Sequence, residues 1–192
     1  MVHVDLSRPP GRVLLVSGVG TGEHRCCRLA EALRRRCGAD ALTLLPDHTL
    51  EHAERSRRLG DDVGRFAPDL IVVDRDPVGP DGELWMPFLR YVAARRRPRL
   101  VLLLPAWFGE PARVDARWRR LDAWTAVDWL YDEVLAFGEP RAGTTATDLA
   151  LHRRISGEVR YLGDVDDGGV ERAADEIADL LARPLAGAAV AH

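Results

Sequence analysis

Four polar residues in this chain stand where chemistry is most readily done. Glu23 and His24 follow the run Ser17-Gly18-Val19-Gly20-Thr21-Gly22, and Asp74 and Asp76 follow the apolar run Leu70–Val73. A histidine titrates near neutrality and can take a proton from a hydroxyl; a carboxylate approaches that role when partly buried. Alternating glycines after an apolar run let the backbone bend with φ > 0 and leave N–H groups bare at a helix N-terminus, where the dipole favours an anion. Gly18, Gly20, Thr21 and Gly22 are therefore candidate phosphate- or substrate-binding positions, with His24 the candidate base and Glu23 the alternative. Asp74 and Asp76 are candidates for positioning a substrate, or for capping the turn that follows them. The plain alternative is that the glycines only make a tight turn, with Glu23 favouring the helix N-terminus and His24 an exposed first-turn residue.

The elements that must position these residues alternate regularly. Apolar runs at Arg12–Val16, Ala41–Leu45, Asp69–Asp74, Arg99–Leu104, Glu133–Phe137 and Val159–Leu162 read as strands. Between them, helical spacing covers Glu23–Cys37 with Gly38 past its end, then Leu50–Phe66, Glu83–Arg97, Pro111–Tyr131 and Thr144–Ile155, and Val170–Leu181 closes the chain. Strands without polar alternation, each followed by a helix, imply an α/β fold: a Rossmann-like doubly wound, mainly parallel six-stranded sheet with helices on both faces. In such sheets ligands bind outside the carboxyl ends of the strands, so the loops beginning at Ser17, Pro46, Asp74, Pro105, Gly138 and Gly163 matter most. Trp118, Trp124 and Trp129 are expected to pack within the long helix.

Length and composition narrow the rest. At 192 residues, 46% hydrophobic and 30% charged, the chain fits one domain over 12–184, with an N-terminal arm at 1–11 and a tail at 185–192. A net charge of −3 gives no reason to expect nucleic acid. All 27 basic residues are arginine, so neither a Schiff base nor a Walker lysine is available. Cys26, Cys27 and Cys37 fall on one helix; Cys26 and Cys37 are separated by roughly 16 Å, too far for a disulfide, and the spacing matches no zinc pattern. These features point to a cytoplasmic protein with no metal or cofactor, no leader and no membrane span. Leu84–Tyr91 with Arg95–Arg97 could touch an anionic membrane surface, but a helix that buries its aromatics and solvates its arginines is the simpler expectation.

Two common uses of this fold do not fit. A dinucleotide fingerprint wants a small residue three beyond the second glycine, and here Gly20 leads to Glu23, whose charge would repel a pyrophosphate. A receiver domain would place its phosphoacceptor at Asp74, with Asp81-Gly82 seven residues later. It also needs an acidic pair where this chain has Ser17-Gly18 and a lysine where it has Gly138-Glu139.

A third pattern runs through residues 12 to 164. Gly18-Val19-Gly20-Thr21-Gly22 precedes Arg25-Cys26 and Leu29-Ala30-Glu31-Ala32-Leu33, and Pro68–Gly79 follows. Tyr131–Pro140 and Val159–Gly163 come later in the same order. Together these resemble the N-terminal, acceptor-side domain of GT-B glycosyltransferases, in particular bacterial relatives of the lipid-linked N-acetylglucosaminyltransferase of peptidoglycan synthesis. The resemblance implies a phosphate-bearing acceptor and a histidine after the glycine loop. Aligning Leu29–Leu33 without a gap puts Gly22 at that histidine's position and His24 two residues on, a rotation of roughly 200°. The family's nucleotide-sugar domain has no counterpart before the chain ends, so a separate donor-binding subunit is the expected partner and the isolated chain is expected to be inactive. The alternative is a catalytically inactive glycosyltransferase-like binding or scaffold protein. Pro105-Ala106-Trp107-Phe108 replaces a more polar loop of the relatives and suggests an apolar contact surface.

Overall fold

The computed structural model describes residues 11–17, 21–45, 47, 49–79, 81–84, 98–107, 109–141 and 143–183. Six strands form one sheet: β1 (Arg12–Val16), β2 (Asp40–Leu44), β3 (Leu70–Asp74), β4 (Arg99–Leu104), β5 (Glu133–Ala136) and β6 (Val159–Tyr161). Every pairing is parallel, in the order β2-β1-β3-β4-β5-β6. Val13 to Val16 of β1 lie against Leu70 to Val73 of β3, so two uninterrupted apolar runs lie side by side within the sheet. All of β3 is buried, and so is β4 after Arg99, because helices cover both faces and leave no solvated side for polar alternation. The chain is thus a doubly wound, Rossmann-like α/β domain.

Each face has its own core. On one, α1 (Thr21–Cys37) and the last helix, Val170–Ala182, pack Cys26, Leu29, Leu33, Ala173, Ala174 and Ile177 against Val13, Leu15, Val72 and Leu103. Arg35 and Arg36 of α1 reach Glu171 and Asp175 across the outer seam of these two helices. On the other face, α2 (His52–Phe66) contributes Leu59 and Val63, and the β4–β5 connection contributes Val114, Trp118, Ala126, Val127 and Leu130, over Leu14, Ile71, Val73 and Leu102.

Two expected helices are each divided. The β4–β5 connection is not one helix over Pro111–Tyr131 but α3 (Pro111–Arg120) and α4 (Ala123–Leu130), separated where Asp122 adopts φ +53°. The break rephases the inward face from Val114 and Trp118 to Ala123, Ala126, Val127 and Leu130, and it sets Trp118 edge-on to Trp124 with centroids 4.9 Å apart. Trp129, expected to pack, is instead 74% exposed. Thr144–Ile155 becomes α5 (Thr145–Asp148) and a 3₁₀ turn (Leu151–Arg153), divided by Ala150 at φ +51°. The closing helix is α6 (Val170–Ala182). The helix expected over Glu83–Arg97 lies outside the described residues beyond Leu84, as do residues 1–10 of the N-terminal arm, Gly18, Gly20 and the tail.

The end of α2 yields a test of the backbone. Ala67 follows the helix in the left-handed region (φ 47°, ψ 62°), its N–H bonded to the carbonyl of Val63 at 2.9 Å. Glycine meets no Cβ penalty there. Ala67→Gly should therefore raise unfolding stability by about 0.5–1 kcal/mol in urea. A loss of stability would contradict this cap.

Candidate functional site

Because β1 lies between β2 and β3, the connections leaving β1 and β3 run to opposite sides, and the crevice outside their carboxyl ends is the topological switch point of the sheet. Asp74, Arg25, Ser17 and Gly22 meet there. Asp74 ends β3, and Arg25, on the inward face of α1, donates to Asp74 Oδ1 from Nε at 3.0 Å and from a terminal amine at 2.5 Å. Ser17, just past β1, places its hydroxyl 3.4 Å from Asp74 Oδ2. The Arg25 and Asp74 side chains are only 9% and 1% exposed, and the Arg25 guanidinium also lies 5.6 Å from the centroid of the Phe137 ring beyond β5. A charge pair this deep is tolerated because each partner neutralises the other and the donors meet the carboxylate directly.

Gly22 explains how α1 comes so close. A Cβ on Gly22 would lie 2.3 Å from Asp74 Oδ2 and 2.6 Å from Ser17 Oγ. Its requirement is close approach within the first turn of α1, not a positive φ, which corrects the role expected for this glycine. Cys26, next to Arg25, is pushed up to about 12 by burial and then by the Asp74 carboxylate.

The turn after β3 holds the second carboxylate. Arg75 takes φ +79° while Asp76 N–H bonds to Asp74 O at 3.1 Å, a γ-turn of the rare positive-φ kind. It turns Asp76 beneath α3, where Oδ1 accepts from Arg117 at 2.5 Å and from the Trp118 indole N–H at 3.4 Å. Burial pushes the Asp76 carboxyl up, and Arg117 opposes it. Glu83 closes the turn: it is fully buried, one carboxylate oxygen accepts the Asp81 N–H at 3.0 Å, and Gly79, at φ +79°, leaves the space its carboxylate fills.

The candidate residues thus separate into two groups. Gly22, Asp74 and Asp76 are drawn into the interior, the two carboxylates each on an arginine. Glu23 and His24 face solvent on the outer side of α1, and neither has a hydrogen-bond partner among the described residues. Thr21 opens α1, while Gly18 and Gly20 lie outside the described residues. Sequence reasoning missed Arg25, Ser17, Phe137, Arg117 and Glu83. Arg25 had a legible signal: with Gly22, Cys26, Leu29 and Leu33 it falls on the helix face that meets the sheet, where an unpaired charge is not tolerated. A separate open groove of about 490 Å³, lined by Pro140, Thr147, His152, Glu158 and Tyr161, flanks the edge strand β6.

Two measurements test this arrangement. Arg25→Met leaves Asp74 buried without its cation and should cost about 3–5 kcal/mol, and adding Asp74→Asn should recover a substantial part of that loss. A single variant within 1 kcal/mol of wild type, or no recovery in the double variant, would contradict a buried pair. In the native protein at pH 8, an alkylating agent should modify Cys27, which is exposed, and reach Cys26 only after unfolding. Equal native labelling rates at the two positions would mean that the inner face of α1 is open.

No protein-family model matches this sequence, and no curated protein matches it. Among solved structures it is similar to the crystal structure of a 5-methylthioribose transporter solute binding protein from Thermotoga lettingae TMO in complex with 5-methylthioribose. The identity is 14%, the coverage 89% of this chain and 81% of that one, and the TM-score 0.42. A likeness of that degree says nothing of what this chain binds, and the fold stands on the strand order itself.

Proposed function

We propose that this chain is the acceptor-binding half of a glycosyltransferase-type cleft, acting with a donor-binding unit on a separate polypeptide. The observation that carries this is the position of the glycine junction: α1 begins at the switch point of the sheet, its first turn pressed onto Asp74 by Gly22. That is where open α/β sheets bind ligands, and a helix N-terminus there favours a phosphate-bearing acceptor. Asp74 and Asp76 hold the frame through Arg25 and Arg117, which leaves Glu23 and His24 as the titratable groups of the junction free to meet a substrate. A cytoplasmic location belongs to the same reading and is supported by three unbridged cysteines; among the described residues no helix is long and apolar enough to cross a membrane.

The second reading, a non-catalytic binding or scaffold protein of the same descent, is favoured by one observation. A general base is ordinarily oriented by a hydrogen-bonded third group, and among the described residues neither His24 nor Glu23 has one.

Reconstitution separates the two. The chain should form a complex with a donor-type glycosyltransferase subunit, and that complex, not the isolated chain, should transfer sugar to a lipid-linked diphosphate acceptor. Within the complex, His24→Ala or Glu23→Ala should lower turnover by roughly a hundredfold while leaving assembly intact. Full turnover in both variants would remove the junction from the chemistry, and failure to form any such complex would favour the scaffold.

A further inference from the structure

The carboxyl ends of β4, β5 and β6 form a second stretch of the carboxyl edge, away from the Arg25–Asp74 pair, and glycines follow two of them. Beyond β5 and β6, Gly138 and Gly163 bond to each other reciprocally, N–H to O, at 2.8 and 3.1 Å, with φ +91° and +68°. Beyond β4, Ala106 packs its methyl group over Gly138, and its carbonyl accepts from both the N–H and the hydroxyl of Thr145. The next residue, Trp107, therefore stands on tethered backbone with its side chain in water, 67% exposed. At the far end Arg172, on the first turns of α6, folds back so that Nε donates to the carbonyl of Leu162. Its guanidinium occupies the space that a side chain on Gly163 would need and lies beside Gly168. Arg172 is exposed, and among the described residues no carboxylate pairs with it.

We propose that the edge over β4, β5 and β6 is a sugar-phosphate site, in which Trp107 stacks on the apolar face of a pyranose ring and Arg172 binds the phosphate. Two strand spacings separate the β4 and β6 ends, about 10 Å, the reach of a hexose with a phosphate on one end. An exposed, backbone-tethered indole suits a flat apolar ring edged by hydroxyls, since it supplies contact area at little entropic loss. An exposed guanidinium anchored through Nε and with no carboxylate on it is suited to binding a phosphate. Asp164 and Asp166 in the β6–α6 loop are exposed, and Asp166 is 3.9 Å from Arg28, so water and counterions screen their repulsion.

The inference deepens, and rests on, the acceptor-binding reading by naming the chemistry the edge would recognise. Its test is direct binding by the intact, isolated chain, followed by calorimetry and ligand-observed NMR with glucose 1-phosphate and N-acetylglucosamine 1-phosphate. At least one should bind, with Trp107→Ala and Arg172→Gln each weakening it roughly tenfold or more, and Arg172→Lys falling between wild type and Arg172→Gln. Trp129→Ala, which removes an equally exposed indole elsewhere, should leave affinity unchanged. Absence of binding at millimolar concentrations, or binding that both variants retain in full, would overturn the site. Sugar-phosphate binding here without any donor-type complex would leave the site standing and remove the split-enzyme reading. A working complex whose chain binds equally well with Trp107→Ala and Arg172→Gln would remove the site alone.

Discussion

The ion pair between Arg25 and Asp74 is the interaction on which the rest of this structure depends. It joins the first helix to the central strand at the point where the sheet changes winding direction, and it does so inside the protein. Once Asp74 is buried, α1 must present a cation toward it and must carry no side chain at Gly22, or the helix cannot approach. Once Arg25 is drawn inward, Glu23 and His24 are turned outward by helical geometry alone. The division between framework and exposed chemistry at this junction follows from a single electrostatic requirement.

The same constraint propagates across the sheet. Arg25 spans from β3 to the ring of Phe137 beyond β5, and Phe137 in turn packs against Gly169 at the start of α6. The two helices on that face are thus fixed to the carboxyl edge as well as to each other through Arg35, Arg36, Glu171 and Asp175. On the opposite face, Asp76 plays a parallel part by holding α3 through Arg117 and Trp118. Asp74 at the end of β3 and Asp76 just beyond it therefore secure opposite layers.

Much of the fold was legible because buried parallel strands announce themselves as apolar runs: Leu70–Asp74 and Arg99–Leu104 could hardly be anything else. Helix interruptions were not legible, since Asp122 and Ala150 adopt left-handed backbone without a glycine to signal it. At the site, the residue types were found but their directions were not. The alternating glycines predict a flexible turn, whereas Gly22 lies in the first turn of α1 and admits the Asp74 carboxylate; nothing in the spacing shows that Asp74 pairs with Arg25. A sequence names the charges at a strand end; which of them neutralise one another depends on a helix face meeting a strand from 49 residues away.

The central claim, that a buried internal charge pair holds α1 at the switch point, is tested most directly at the Arg25 guanidinium itself. Nitrogen-15 NMR of the native chain at neutral pH should show the Arg25 Nε–H as a distinct resonance whose hydrogen exchanges far more slowly than that of a free arginine, because it is buried and donated to Asp74. An Arg25 Nε–H that exchanges as fast as those of the solvent-facing arginines would contradict the account and return Asp74 to the ligand.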